Sequence, residues 1–114
     1  MDLRKALVID LLDSGEYQSL LRGEPKTCGM RSGRVFLKPG EDCGEHSTGQ
    51  KEELLVFLSG SGQAEIEGEL LDVGAGKVVY IPPETTHNIK NNSDTQALSY
   101  IYCVAPAGQT GEKL

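Results

Sequence analysis

The sequence contains no tryptophan and few aromatic residues, which make up 5% of it. Its apolar runs, such as 6–9 and 54–58, are too short for a membrane-spanning helix, so we expect no membrane association. Basic residues are also few, because 11 Lys and Arg stand against 17 Asp and Glu and give a net charge of −6. Nucleic acid phosphates are bound by clustered Lys and Arg. An acidic chain with scattered basic residues is therefore not expected to bind nucleic acid.

Cysteine is scarce as well. There are three cysteines, Cys28, Cys43 and Cys103, and none forms a CxxC pair. An odd number without such spacing argues against a disulfide framework and against a zinc knuckle. Cys43 lies three residues before a histidine, and thiolate is a good ligand for soft metals. We nevertheless expect an inert or partly buried thiol at this position.

The length of 114 residues fits one domain, 1–114, and leaves no room for a second core. Arg4 and Lys5 precede an apolar stretch, as they would in a secretory signal. Acidic residues at positions 10 and 13 interrupt that stretch, and no small-residue cleavage site follows. We therefore expect a cytoplasmic protein.

The chain beyond position 33 is typical of an all-β domain. Short apolar runs alternate with Gly, Pro and Asn turns, at 34–38, 53–58, 64–67, 70–73, 77–81, 87–90 and 97–104. Before them, 5–12 has the composition of a strand or the start of a helix, and capping-box spacing predicts a short helix over 14–22. We expect a loop over 24–33 and a frayed tail over 107–114.

Two spaced motifs contain both histidines of the chain. The first reads Gly40-x5-His46-x-Thr48-x4-Glu53-x6-Gly60. The second reads Gly76-x5-Pro82-x-Glu84-x2-His87-x3-Asn91. The glycines and the proline suit positive φ or tight turns between strands. Histidine combined with a carboxylate is the usual donor set for a divalent transition metal.

Alternation along strands places particular side chains on one face. His46 shares a face with Thr48, and Glu53 shares one with Leu55 and Phe57. A single carboxylate on an otherwise apolar face is costly unless a bound cation or a polar ligand compensates it. Alternatively, these groups are barrel-lining polar residues that hydrogen-bond to one another and to water.

The two motifs resemble those of the cupin superfamily, in register over residues 40–91. The resemblance implies a double-stranded β-helix, the cupin jelly-roll barrel, with motifs at 40–60 and 76–91. Residues 1–32 would form an N-terminal extension with a short strand or helix. Two positions depart from the family pattern, because Thr48 stands where the family has a second histidine and Glu84 where it has glycine. We expect that the turn at Glu84 need not adopt a glycine-only conformation.

The resemblance implies that His46, Glu53 and His87 bind a divalent transition metal: iron, manganese, nickel, cobalt or zinc. Because Thr48 replaces a family ligand, the fourth position would be filled by water or substrate, and a metal-free protein is an alternative. Gln50 is a weaker candidate donor beside them.

Further candidates for lining the ligand pocket are Thr48, Gln50, Phe57, Tyr100 and Tyr102. Tyr100 and Tyr102 alternate along one strand, so both phenols face either the cavity or a subunit interface.

Three functions fit these residues. One is a metalloenzyme of isomerase, dioxygenase or lyase type that acts on a small organic acid or sugar derivative. The second is a binding module for such a small molecule, without turnover. The third is a metal-free, epimerase-like enzyme with a histidine as general base. A homodimer is expected, in which residues 6–11 add to the sheet of the partner subunit.

Overall fold

Nine strands make up the regular structure of the computed structural model, which describes residues 4–108. They are β1 (Gln18–Arg22), β2 (Arg31–Leu37), β3 (His46–Ser47), β4 (Lys51–Ser59), β5 (Ser61–Ile66), β6 (Glu69–Gly74), β7 (Val78–Ile81), β8 (Thr86–Lys90) and β9 (Leu98–Pro106). Within residues 4–108 there is no helix, and hence none long and apolar enough to cross a membrane.

The strands form two antiparallel sheets. One has five strands in the order β1-β2-β9-β4-β7, and the other has four in the order β3-β8-β5-β6. Neighbouring strands in each sheet are often distant in sequence, as in β2, β9 and β4. This topology confirms the all-β jelly-roll barrel predicted from the motifs.

The segment before β2 corrects the sequence-based expectation. No helix forms over 14–22, because Gln18–Arg22 instead pairs with β2 as an antiparallel edge strand. An isolated helix of this length is marginal in water, whereas the edge of β2 offers unpaired backbone groups. Residues 5–12 form neither strand nor helix, and the expected 24–33 loop ends where β2 begins, at Arg31. The expected fraying of the tail lies largely outside the described residues.

The hydrophobic core lies between the two sheets. Its buried members are Leu37, Leu55, Phe57, Ala64, Val73, Ile81, Ile89, Leu98 and Tyr100. The Phe57 and Tyr100 rings pack with centroids 5.1 Å apart. Asn91, the last anchor of the second motif, is fully buried here and donates from Nδ2 to the carbonyl oxygens of Leu37 and Gln96. Its role is therefore structural.

Gly60 and Gly76 adopt the left-handed conformation expected of motif glycines, with φ of +81° and +86°. The space around them differs. A Cβ at Gly60 would overlap the carbonyl oxygen of Ala97, whereas a Cβ at Gly76 would meet nothing within 4 Å. Gly60 is thus required both for its backbone conformation and for the close approach of another chain segment.

This difference predicts unequal effects of two matched substitutions. We expect Gly76→Ala to cost about 1–2 kcal/mol of unfolding free energy, because only the backbone conformation is penalised. Gly60→Ala should cost about 2–5 kcal/mol, because steric overlap adds to that penalty. Chemical denaturation of both variants measures the difference. Equal losses would show that Ala97 moves away at no cost.

Candidate metal centre

Both histidines lie on one pair of neighbouring strands. His46 begins β3 and pairs directly with His87 on β8. Side chains of directly opposed residues in an antiparallel pair lie on the same face and close together. The imidazole centroids are 4.3 Å apart, and the rings meet edge to face at 63°.

The third group comes from the opposite sheet. Glu53, on β4, has 9% of its surface exposed and places Oε1 3.2 Å from Nε2 of His87, which is only 2% exposed. His46 is on the exposed side of the cluster. One ligand atom from each of the three residues lies within 4.8 Å of the others, a separation that a single coordinated ion can span.

Backbone carbonyls orient the two imidazole rings. Nδ1 of His46 lies 2.9 Å from the Gly44 oxygen, and Nδ1 of His87 lies 3.1 Å from the Thr85 oxygen. A carbonyl only accepts, so each neutral ring carries its proton on Nδ1 and presents the Nε2 lone pair to the cluster. Hydrogen bonds of this kind commonly hold metal-binding histidines in the required tautomer.

The pKa of His87 is raised by its surroundings. Burial by itself lowers the pKa, but the hydrogen bond that the protonated ring donates to Glu53, the contact with the Thr85 carbonyl and the Glu53 charge together outweigh it. In the metal-free protein His87 therefore binds its proton, which lies between it and Glu53, more tightly than a free imidazole binds one. A cation binding there must displace that proton.

A cavity of about 500 Å³ opens beside the cluster, within the usual size range for small-molecule sites. Its apolar wall includes Val35, Leu55, Ile89 and Val104, and its polar wall includes Cys43, Ser47, Thr48, Gln50, Lys51, Tyr100 and Tyr102. Glu53 is the single carboxylate among the lining residues. The cavity thus combines an apolar wall with a few polar groups near the three candidate ligands.

Tyr100 and Tyr102 both face this cavity from β9, which answers the question that the sequence left open. Burial raises the pKa of Tyr100 strongly, and burial together with a hydrogen bond to Tyr17 raises that of Tyr102 to about 12. Both phenols are therefore protonated at neutral pH and can donate hydrogen bonds.

Cys43 contributes a protonated thiol to the cavity. Desolvation raises its pKa, and the Sγ atom accepts a hydrogen bond from the Ile89 amide at 3.3 Å. It does not belong to the cluster of three ligand atoms. This matches the expectation of an inert thiol.

Thr48 lines the cavity, but its hydroxyl is engaged elsewhere. Oγ1 donates to the Pro82 carbonyl at 2.7 Å and accepts from the Thr85 amide at 3.0 Å. The side chain thereby joins the segment after β3 to the turn that leads into His87. Its role in this structure is to hold that turn.

Two sequence-based expectations require correction here. Phe57 packs in the core and is not among the residues that line the cavity, because Leu55 already occupies the inward position nearer the mouth. Glu84 does adopt the left-handed conformation, with φ of +56°, and its amide donates to the Gly49 carbonyl. The turn therefore keeps the conformation that glycine favours, although the residue is not glycine.

Tyr17 is a contributor that the sequence analysis missed. Its hydroxyl lies 2.7 Å from the Tyr102 hydroxyl, against the face of Gly33. A side chain at Gly33 would overlap both phenols, so a glycine in the middle of β2 makes room for them. No local signal pointed to Tyr17, because Gly33 belongs to the loop that was expected over 24–33.

With the fold and the cluster established, the chain is identified as a member of the cupin domain family, whose sequence model matches residues 33–104. None of the curated proteins matches the sequence.

Solved structures show the same fold. A Cupin 2 conserved barrel domain protein from Salinispora arenicola superposes with a TM-score of 0.73 at 22% identity, over 90% of this chain and 92% of that one. The cupin domain of Schizosaccharomyces pombe Cnp3 gives 0.70 at 19% identity, over 79% of this chain and 63% of that one. A predicted oxalate decarboxylase from Thermotoga maritima gives 0.67 at 16% identity, over 87% and 99%.

The two hydrogen bonds of the Thr48 hydroxyl predict a specific effect on stability. We expect Thr48→Val to lower the unfolding free energy by about 1–3 kcal/mol, because it leaves the Pro82 carbonyl and the Thr85 amide without this partner. Thr48→Ser keeps the hydroxyl and should retain most of the stability. Denaturant unfolding of both variants provides the measurement. If Thr48→Val is as stable as the wild type, the hydroxyl contributes nothing to stability.

Proposed function

We propose that this protein binds a divalent transition metal through His46, Glu53 and His87, and a small polar organic ligand in the adjoining cavity. The observation that carries the proposal is the convergence of two imidazoles and one carboxylate, from two different sheets, within 4.8 Å. Two histidines and a carboxylate suit iron, manganese, cobalt, nickel or zinc and leave coordination positions open.

The donor set fits such an ion in charge and in tautomer. Glu53 offsets part of the positive charge, and the carbonyls of Gly44 and Thr85 keep both Nε2 lone pairs directed at the cluster. When bound, the ion would supply Lewis-acid polarisation of a carbonyl, an enediol or dioxygen. Because the Thr48 hydroxyl is held by Pro82 and Thr85, the fourth family position is left to water or to an atom of the ligand.

The residues of the chain itself would bind and orient the ligand. Tyr100 and Tyr102 present protonated phenols to the cavity, and Leu55 and Ile89 restrict water. This arrangement supports either an isomerase-, dioxygenase- or lyase-type reaction or binding without turnover.

A second candidate is metal-free acid–base catalysis. The tautomer of His46 favours it, because the Gly44 carbonyl holds Nδ1 and leaves Nε2 as the nitrogen that can accept a proton. Tyr102 would then serve as the acid across the cavity. The metal content of the purified protein separates the two candidates.

Purified without a polyhistidine tag, the protein should contain close to one equivalent of divalent metal by elemental analysis. We expect His87→Ala to reduce metal affinity at least about 100-fold, because a ligand is a larger loss than the outer-shell partners whose removal costs 10–100-fold. Ser47→Ala, beside the same cavity, is the matched control and should retain the metal.

Two results would contradict the metal site. Metal retained in full by His87→Ala would remove His87 from the ligand set. No metal in any of the variants, even after incubation with zinc, iron or manganese, would favour the metal-free candidate.

We also propose a homodimer in which residues 6–11 add to a sheet of the partner. These residues form no strand in the structure, although Leu7, Val8 and Leu11 expose 46–94% of their surfaces. Exposed apolar groups of this density commonly mark an interface. The free edges at β1 and β7 offer backbone groups for pairing.

Val8→Asp should therefore weaken dimerisation by at least tenfold, because it places a charge in the interface. Sedimentation velocity over a range of concentrations measures this. Leu70→Asp, at an exposed position on β6, is the matched control and should leave the dimer intact. A wild-type monomer at high concentration would refute the proposal.

A cytoplasmic location is a further proposal. It is supported by the three unpaired cysteines, which a reducing compartment permits. Recovery of the native protein from an extracellular or periplasmic fraction would refute it.

A further inference from the structure

Two arginines face each other across β1 and β2, near the mouth of the cavity, although neither lines it. Arg22 on β1 pairs directly with Arg31 on β2, so their side chains leave the sheet on the same side. Alternation along β2 puts Arg31 on the face of Gly33 and Val35, and Val35 lines the cavity. Both arginines therefore project from the cavity face of the five-stranded sheet, at its open end.

Neither guanidinium has an acidic partner among residues 4–108. Arg22 donates from Nε to the Ser19 hydroxyl at 3.3 Å, and the ion pairs within residues 4–108 involve other side chains, His87 with Glu53 and Lys90 with Glu65. Like charges directly opposed across a strand pair are destabilising. An anion between them would convert this repulsion into attraction.

The same mouth carries a third cation and two hydrogen-bond donors. Lys51 lines the cavity from β4, and the Tyr17–Tyr102 phenol pair lies between the strands that carry Arg22 and Lys51. Arg31 is close enough to Tyr102 to lower its pKa, against the larger raising effects of burial and Tyr17. In a chain of net charge −6, Arg22, Arg31 and Lys51 together place three positive charges on this side of the cavity.

The distance from this mouth to the candidate metal centre is short. Arg31 pairs with Val104 on β9, and Val104 pairs with Glu53 on β4, so the three residues lie in line across the sheet. Two strand spacings separate the Cα atoms of Arg31 and Glu53 by about 10 Å. Because the two side chains leave the same face of the sheet side by side, a short molecule can span the separation between them. Glu53 does not neutralise the arginines, because its carboxylate contacts His87.

We propose that Arg22 and Arg31 form an anion subsite, and that the ligand is a short organic acid. Its carboxylate is bound by the two guanidinium groups and the Tyr102 hydroxyl, and its other oxygen-bearing end reaches His46, Glu53 and His87. Guanidinium groups bind carboxylates in a bidentate manner, which also fixes the orientation of the ligand. This inference narrows the ligand of the proposed function from any polar organic molecule to an organic acid. It rests on the proposed function only where the end of the ligand opposite the carboxylate meets His46, Glu53 and His87.

The test uses calorimetric titration of the full chain with malonate, succinate and the neutral analogue succinamide, in metal-free and zinc-loaded protein. We expect succinate or malonate to bind, succinamide not to bind, and Arg31→Gln to weaken binding about tenfold. Arg22→Gln should act in the same direction. Lys77→Gln, before β7 at the opposite end of the barrel, is the control for net charge and should stay within twofold of the wild type.

A stability measurement separates ligand binding from a structural role. Arg31→Gln removes one of two opposed like charges, so its melting temperature without ligand should equal or exceed that of the wild type. A marked decrease would mean that Arg31 supports the fold, which would overturn the inference. So would equal binding by Arg31→Gln and Lys77→Gln, or no binding of either dicarboxylate.

The two proposals can fail separately. Dicarboxylate binding to metal-free protein that is lost in Arg31→Gln supports the anion subsite even if zinc never binds. Zinc binding without any effect of Arg31→Gln on dicarboxylate affinity preserves the metal centre and refutes the subsite. If inorganic phosphate binds more tightly than either dicarboxylate at this position, the ligand is not an organic acid and the inference fails.

Discussion

The site depends on the direct pairing of His46 with His87 across β3 and β8. Strand pairing of this kind brings two side chains that are 41 positions apart in sequence onto one face, and Glu53 approaches from the opposite sheet. A shift by one residue in that register would turn one imidazole away from the cavity. Thr48 opposes such a shift, because its hydroxyl and amide bind the turn that precedes β8. Thr48, which stands where the family has its second histidine, thus helps to hold His46 and His87 in register.

Much of the barrel was predictable, because local signals there agree with the tertiary structure. Runs of apolar residues with turn residues between them correspond to strands from β2 onward, and Gly40, Gly60 and Gly76 have the positive φ that their spacing predicted. The candidate ligands were predictable by the same spacing, since both histidines lie at fixed offsets from these turns.

The failures occurred where local sequence does not determine the outcome. The segment 14–22 has helix-capping spacing, yet pairing with the edge of β2 decides its structure, and no property of the segment alone reveals that partner. Phe57 lies on the same face of β4 as Glu53. Alternation along a strand shows which face of the sheet a side chain is on, but not whether it lies near the cavity or in the core. Glu84 keeps a glycine-like conformation because the Gly49 carbonyl accepts from its amide, a contact that only the folded chain shows.

The edge strand β1 lies before the part of the chain that the cupin family model matches, which begins at residue 33. It carries Arg22, and Tyr17 immediately precedes it, so residues beside the cavity come from sequence before the matched region. A strand at the border of a sheet can be exchanged with little disturbance to the packed interior. The surroundings of the cavity can therefore diverge by replacement of one peripheral segment while the histidine-bearing strands stay unchanged.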